Sequence, residues 1–189
     1  MILPKVRDPR LVTIRRGGLL TDPDHHLLAL WAAACAEHVL DLFEAECPSD
    51  LRPRHAIAGA RAWAAGELSM MQSRAAGGHA MGAARPLSGA ARFAAYAAGQ
   101  AACIPHVPEH DLGAAAYAIK AAQAAAAAGD DGEAAARREC QWQLDQLPDP
   151  IRALVLDDQA RRNPICWSVF TEPGPLAAGP THPSGGLQR

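Results

Sequence analysis

From residue 21 onwards, apolar side chains recur every three or four positions, which is the spacing of a helix with one buried face. The clearest case begins at Asp22-Pro23, where a capping Asp stands before a proline that suits the first helical turn. The pattern continues to about Glu46, and Pro48 stops it. It predicts a long first helix whose apolar face contains Leu27, Leu28, Trp31, Ala34, Cys35, His38, Val39, Leu42 and Phe43.

Capping residues and prolines divide the rest of the chain into further helices. Ser69-Met-Met-Gln72 has the spacing of a capping box, and Pro86 and Pro148 interrupt the apolar pattern. Asp111 is available to cap a helix that continues to about Gly129. These signals predict an all-α fold, a compact bundle of about six to seven helices near residues 22–46, 53–66, 69–85, 88–103, 111–129, 130–147 and 149–162.

The two ends of the chain depart from this pattern. Residues 10–15 form a short strand-like run that Gly17-Gly18 ends, so we expect a strand-like N-terminal arm packed on the helices. Residues 171–189 contain four prolines and four glycines without an apolar period, which predicts a flexible tail. The sequence thus predicts a single helical domain over residues 1–170, followed by a tail over residues 171–189.

The composition favours closely packed helices in a reducing compartment. Alanine dominates, and it is the best helix former. The five cysteines are an odd number without a CxxC pair, which favours reduced and mostly buried thiols. The sequence contains no apolar stretch that would span a bilayer and no signal-peptide pattern, so we expect a cytoplasmic protein without a membrane partner. Close helix approach is predicted at the interior glycines Gly77, Gly78, Gly82, Gly89, Gly99 and Gly113.

Charges of one sign cluster along the chain, although the net charge is only −2. Residues 17–50 carry seven acidic side chains and no Lys or Arg, whereas residues 51–108 carry six arginines and one acid. Such blocks either pair within the fold or steer a partner of opposite charge. The basic residues are too sparse to favour nucleic-acid binding. For a basic protein partner, the predicted contact residues are Glu37, Asp41 and Glu44, on the polar face of the first helix.

The densest group of titratable residues lies in and after the loop before the fifth predicted helix. His106, Glu109, His110 and Asp111 are found there, and with His79 from the third predicted helix they would form an acid–base pair if they shared a cleft. The alternative is structural, with Asp111 as a helix cap and the imidazoles bonded to neighbouring groups. On that interpretation we expect His106 and His110 to be at least partly buried and hydrogen-bonded against the first or third predicted helix.

Two Cys-x-x-His units, Cys35/His38 and Cys103/His106, offer the thiolate and imidazole ligands that zinc prefers. Their spacing is not that of a standard zinc module, and the first unit falls on the apolar face of a helix, so we predict structural residues and no metal or other cofactor. The sequence contains no hydrolase nucleophile motif and no nucleotide-binding glycine loop. It therefore names no catalytic residue and favours a function without catalysis.

Several segments of the chain resemble those of one bacterial family. They are Asp8-Pro-Arg-Leu-Val-Thr-Ile-Arg-Arg-Gly-Gly18, Trp31-Ala-Ala-Ala-Cys-Ala-Glu-His-Val39, Arg52-Pro-Arg-His-Ala-Ile57, Ala60-Arg-Ala-Trp63, Gly66-Glu67, His106-Val-Pro-Glu-His110 and Gly113-Ala-Ala-Ala-Tyr-Ala118. The resemblance covers about residues 8–158 and is to the immunity proteins described as similar to the fifth immunity-protein class. It implies a helical fold and a cytoplasmic binding protein that neutralises a toxin, and it brings no known binding or catalytic residues.

Three hypotheses follow from the sequence. The first is a binding protein that neutralises a cognate toxin. The second is a metal-binding or enzymatic helical protein that uses the cluster of His79, Cys103, His106 and His110. The third is a homo-oligomeric structural domain, which a large apolar surface patch would favour.

Overall fold

Eight α-helices account for most of the residues that the computed structural model describes, which are 3–126 and 131–171. Short 3₁₀ turns supplement them, and no strand occurs within these ranges. The all-α bundle predicted from the sequence is confirmed. The helices are α1 (Asp22–His38), α2 (Asp41–Glu44), α3 (Arg52–Ala64), α4 (Met70–Ala84), α5 (Gly89–Cys103), α6 (Asp111–Ala125), α7 (Gly132–Asp145) and α8 (Asp149–Arg162).

The predicted first helix is divided in two. It ends at His38 rather than Glu46, because Val39 leaves the helical conformation with φ −113° and ψ 7°. A short second helix follows at Asp41–Glu44. The break allows Val39, Leu40 and Phe43 to be buried together, which a straight helix with an opposite polar face would not permit. This extra helix brings the number above the predicted six to seven.

The caps agree with the sequence at one helix and differ at two others. The capping box of Ser69 and Gln72 is present at the start of α4, as predicted. At α1, however, the cap is Thr21, whose side chain accepts a hydrogen bond from the backbone N–H of Asp24. Asp111 is the first residue of α6 rather than its cap, and its carboxylate is fully buried.

Helix α5 lies at the centre of the bundle. It contacts α1, α2, α3, α4 and α6, and every residue from 97 to 103 is buried. Most of these residues are alanines, whose small side chains leave room for neighbours on all sides. A helix that is apolar all round is stable only when other helices surround it, and this arrangement meets that condition.

Close approach is confirmed where α4 crosses α5. A Cβ on Gly77 would lie 2.7 Å from the carbonyl oxygen of Gly99, and a Cβ on Gly99 would lie 2.6 Å from Cγ of Met81. Both contacts are closer than packed atoms tolerate, so this crossing requires glycine on both helices. Gly78, by contrast, would meet nothing within 4 Å.

The N-terminal arm is present but contains no strand. Residues 10–15 fall largely in two 3₁₀ turns, Pro9–Leu11 and Ile14–Arg16, and extended pairing is limited to one bridge between Thr13 and Leu20. The strand-like expectation fails because alternation brings only Leu11 into the core, whereas Ile14 is 61% exposed. With no neighbouring strand available, the backbone satisfies its hydrogen bonds in local turns.

Two predictions concern residues outside the described ranges. Helix α6 ends at Ala125, and residues 127–130, where the sequence placed its end and the start of the next helix, are not described. The predicted flexible tail is residues 171–189, of which only Thr171 is described. None of the described helices combines the length and the apolar character that crossing a membrane requires.

Candidate functional site

The three acidic residues predicted on one helix are divided between α1, which carries Glu37, and α2, which carries Asp41 and Glu44, and α3 partly neutralises them. Arg61 donates two hydrogen bonds to Glu37, at 2.7 and 2.5 Å, and Arg54 donates two to Glu44, at 2.8 and 2.6 Å. The hydrogen bonds from Arg61 lower the pKa of Glu37, so this carboxyl is charged at neutral pH. Asp41 is exposed. The surface therefore has mixed charge, and at these two pairs the acidic and basic blocks of the sequence meet within the fold.

A shallow cavity of about 460 Å³ lies between the same helices. Its apolar lining includes Leu40 and Ile57. The charged groups come from Glu37, Glu67, Arg54 and Arg61. An apolar surface with charged groups around it suits contact with another molecule better than chemistry, since both arginines already bind carboxylates. We call this region, together with Asp41 and Glu44 of the neighbouring α2, the α1–α3 surface.

The predicted acid–base cluster does not form one site. His79 is exposed on α4, whereas Glu109 is buried and accepts two hydrogen bonds from Arg7, at 2.7 and 2.6 Å. His110 is partly buried and its Nδ1 lies 2.6 Å from Oε1 of Gln100. Burial lowers the pKa of His110 to about 4, so the imidazole is neutral at pH 7.

The expectation for the two imidazoles is right about burial and wrong about partners. His106 is partly buried, but its Nδ1 is enclosed without a hydrogen-bond partner among the described residues. Burial lowers the pKa of His106, and the charges of Arg74, Arg16 and Arg7 act in the same direction. His110 bonds to α5 and not to α1 or α4. Helix α5 occupies the centre of the bundle, which the sequence pattern had not indicated.

Asp111 belongs instead to a buried charge network, which we define as Arg162 with Asp111, Asp158 and the backbone of Glu109. The guanidinium donates from Nη2 to Oδ1 of Asp111 at 2.9 Å and from Nη1 to the carbonyl oxygen of Glu109 at 2.8 Å. Its Nε donates to Oδ2 of Asp158 at 2.8 Å, and its Nη2 donates to the same oxygen. All three side chains are at most 5% exposed. One cation thus ties the end of α8 to the start of α6.

Burial dominates the titration of this network. It raises the pKa of Asp111 to about 7, and the nearby charge of Asp158 adds to that effect while Arg162 opposes it. Burial likewise raises the pKa of Asp158. For Arg162, burial disfavours the cation, but Asp111 and Asp158 outweigh it and raise its pKa. Of the residues in the predicted acid–base cluster, Asp111 is therefore bound within this internal network, and Glu109 and His110 are bound to Arg7 and Gln100.

The N-terminal arm is fastened to this network by charges that the sequence analysis did not single out. Arg7 pairs with Glu109, Asp8 pairs with Arg10 and Arg161, and Arg10 also pairs with Asp157. The side-chain hydrogen bonds from Arg10 lower the pKa of Asp8 to about 2. The arm is held by these ion pairs in place of the hydrogen bonds that a sheet would have supplied.

The candidate zinc ligands occupy structural positions. Cys35 is fully buried, and burial raises its pKa well above the ordinary value, which favours the thiol over the metal-binding thiolate. His38 stacks on Trp142 with ring centroids 3.6 Å apart, and its Nδ1 lies 2.7 Å from Glu139. Cys103 is also buried. Among residues 3–126 and 131–171, no three His, Cys, Asp or Glu side chains are placed to hold a metal ion.

A group of three partly buried aromatic rings and one exposed ring was not predicted from the sequence. Tyr117 on α6 stacks on Tyr96 of α5 with centroids 5.1 Å apart, and Trp167, after α8, meets Tyr117 edge-on at 5.0 Å. Phe93 lies 6.2 Å from Tyr117. The spacing of Phe93 and Tyr96 was visible in the sequence as one helix face, but nothing there connected them to Tyr117 or Trp167. We call these four rings the aromatic patch.

Comparison with known protein families identifies the chain. The family model described as Imm-5 like putative immunity protein matches residues 18–150. The chain belongs to this family. The match confirms the resemblance derived from the sequence motifs. Comparisons with curated proteins and with solved structures find no match.

In this immunity-family protein, the buried charge network and the aromatic patch each include residues inside and outside the matched segment. Asp111 lies within the matched residues 18–150, whereas its partner Arg162 lies beyond them. Likewise Tyr117 lies within the match and Trp167 beyond it. The buried charge network and the aromatic patch each join the family segment to the part of the chain that follows it.

Proposed function

We propose that this chain is a cytoplasmic binding protein that neutralises a cognate bacterial toxin without catalysis. The observation that carries the proposal is membership of the immunity-protein family over residues 18–150. A protein of this kind acts by covering a functional surface of its target, so it needs a rigid surface and no reactive groups of its own. The engagement of Glu109, His110 and Asp111 in internal bonds fits that mode of action.

The first candidate contact is the α1–α3 surface, with Glu37, Asp41 and Glu44 as the acidic residues. If the toxin acts on nucleic acid, its cleft is basic, and acidic side chains would occupy it. Asp41 is exposed, and Glu37 and Glu44 can exchange their arginine partners for those of the toxin. Ion pairs at the edge of an interface mainly set the rate of association and the choice of partner.

Co-expression tests the proposal. The chain is produced in a bacterial host together with the toxin-like product of the neighbouring gene. We expect restored growth and a stable complex on gel filtration. Death of the host despite soluble chain, together with the absence of a complex, would contradict the proposed function.

A matched pair of variants tests the contact residues. Asp41→Lys is expected to weaken the complex by about tenfold, since it places a cation where the basic toxin would bind. Glu46→Lys makes the same charge change at another exposed position of the same region and serves as the control. Equal affinities for the two variants would remove Asp41 from the interface and leave the proposed function intact.

A further inference from the structure

Trp167 combines an exposed aromatic side chain with an unusual backbone conformation. It and Ser168 have φ values of 59° and 55°, and they are the only non-glycine residues with positive φ in the described ranges. An L-residue in this left-handed region is conformationally strained, and such strain is concentrated at functional sites. The side chain is also 47% exposed, so burial of the indole does not fully compensate for the strain.

The surrounding turn holds Trp167 in this conformation. The side chain of Asn163 donates to the carbonyl oxygen of Phe170 at 2.8 Å and accepts from its backbone N–H at 3.1 Å. The backbone N–H of Ser168 donates to the carbonyl oxygen of Asn163 at 2.8 Å, and Phe170 is buried beneath the turn. The indole is therefore presented by a rigid frame rather than by a loose loop.

The frame places Trp167 beside three partly buried rings. Tyr117 contacts Trp167, Tyr96 and Phe93, so the four rings form one continuous surface from α5 across α6 to the turn. Tryptophan, tyrosine and arginine are the residues that most often dominate the affinity of protein interfaces. A rigid aromatic surface also loses little side-chain entropy when a partner binds.

Two cations border the rings. The guanidinium carbon of Arg92 lies 5.4 Å from the centroid of Tyr96, and Nζ of Lys120 lies 5.8 Å from that of Phe93. Among the described residues their hydrogen bonds go to the carbonyl oxygen of Leu87, the Tyr96 hydroxyl and Oε1 of Gln123, and none goes to a carboxylate. Arg54 and Arg61, by contrast, each bind a carboxylate within the fold. The charge of the patch is thus left for an acidic partner.

We propose that the aromatic patch is a docking surface for a protein segment that carries carboxylates beside an apolar side chain. The apolar side chain packs on Trp167 and Tyr117, and the carboxylates pair with Arg92 and Lys120. This inference deepens the proposed function, and it rests on that function in taking the toxin to be the protein that presents the segment. Its chemistry is opposite to that of the α1–α3 surface, which would bind a basic region.

The binding test uses the full chain and two labelled synthetic peptides. One alternates Glu or Asp with Leu and Phe, and the other has Lys at every acidic position. We expect the acidic peptide to bind by fluorescence anisotropy, to bind less well as salt is added, and to be at least about tenfold tighter than the basic peptide. Equal binding of the two peptides, or preference for a single-stranded oligothymidylate over the acidic peptide, would overturn the proposal.

Matched variants locate the peptide on the patch. Trp167→Ala and Lys120→Glu should each weaken binding by at least about tenfold, whereas Ile165→Ala, in the same turn, and Arg85→Glu, at an exposed position, should have little effect. Circular dichroism confirms that each variant is folded. Unchanged peptide binding by Trp167→Ala would overturn the proposal. So would a dimer of the wild-type chain that Trp167→Ala abolishes, because the patch would then be occupied by a second copy of the chain.

Co-expression with the toxin separates this inference from the proposed function. Loss of protection in Trp167→Ala, with protection by Ile165→Ala retained, supports both. Full protection by Trp167→Ala would leave the proposed function standing and overturn the role of the patch in it. Failure of the wild-type chain to protect, with the acidic peptide still bound at Trp167, would overturn the proposed function and leave the docking surface standing.

Discussion

The buried charge network and the aromatic patch lie five residues apart along the chain, at Arg162 and Trp167, and they distribute polar and apolar atoms in opposite ways. Arg162 carries a charge into the protein, where its side chain is 5% exposed, whereas Trp167 carries the largest apolar side chain to the surface, where it is 47% exposed. Both placements oppose the usual distribution of residue types. The same short segment therefore departs twice from the pattern in which charged side chains are exposed and apolar side chains are buried.

The two departures have different explanations. Within the buried network, the Arg162 guanidinium finds Asp111, Asp158 and a backbone carbonyl as acceptors, although Oδ2 of Asp111 has no hydrogen-bond partner among the described residues. Burying these charges costs desolvation energy, and what the network supplies is a fixed position for α8 against α6. In the aromatic patch, by contrast, Trp167 keeps a strained backbone and a half-exposed side chain. Packing within the fold accounts for the first region, whereas the docking partner proposed above would account for the second.

The largest effect is expected where the network is broken. Arg162→Ala leaves Asp111 and Asp158 buried without their cation, and we expect the free energy of unfolding to fall by about 3–5 kcal/mol. Chemical denaturation of the wild type and the variant measures this difference. Arg137→Ala, whose ion pairs with Asp131 and Glu133 are exposed, is the control and should cost about 0–1 kcal/mol. Similar losses for the two variants would show that burial does not distinguish the two arginines.

A smaller effect is expected from His110, which lies beside the network. Its pKa is about 4 in the folded protein and near 6.5 when exposed, so between these values the unfolded chain binds the additional proton and is favoured. The contribution of His110 to stability is complete above about pH 6.5 and is lost as the pH falls through about 4. In His110→Gln we expect the loss of stability over this range to be about 1–3 kcal/mol smaller than in the wild type.

Parallel denaturation curves from pH 7 to 4 measure this difference. Asp111, whose folded pKa is raised to about 7, acts in the opposite direction, since its raised pKa favours the folded protein as the pH falls. It is present in both proteins, so its contribution cancels in the comparison. Identical pH dependence in the two proteins would mean that the folded imidazole titrates normally and is not desolvated.

The smallest effect on stability is expected at the patch. Trp167→Gly relieves the left-handed strain but removes the edge contact with Tyr117, so the free energy of unfolding should change by no more than about 1 kcal/mol. Trp167→Ala loses the same contact and keeps the strain, and we expect it to be about 1 kcal/mol less stable than the Gly variant. Thermal unfolding compares the two. Equal stabilities would show that the turn relaxes and stores no strain.

The sequence by itself determined the features that depend on neighbours along the chain. Helical spacing of apolar residues predicted an all-α bundle, and the capping box at Ser69 and the close approach at Gly77 and Gly99 were confirmed. A cap acts within a single helix, and a glycine permits close approach by whichever helix lies next to it. Both can therefore be recognised without knowing which helices pack together. The family motifs were recognisable for the same reason, since each is a short run of letters.

Only the tertiary structure decided which distant residues meet. Arg162 and Asp111 are 51 positions apart, and Trp167 reaches Tyr117 only because the turn after α8 folds over α6. The break after His38, which buries Leu40 and Phe43 together, was likewise set by packing rather than by any breaking residue. A charged or aromatic side chain has the same local propensity whether its partner is 5 or 50 residues away, so its role is fixed only when the helices assemble.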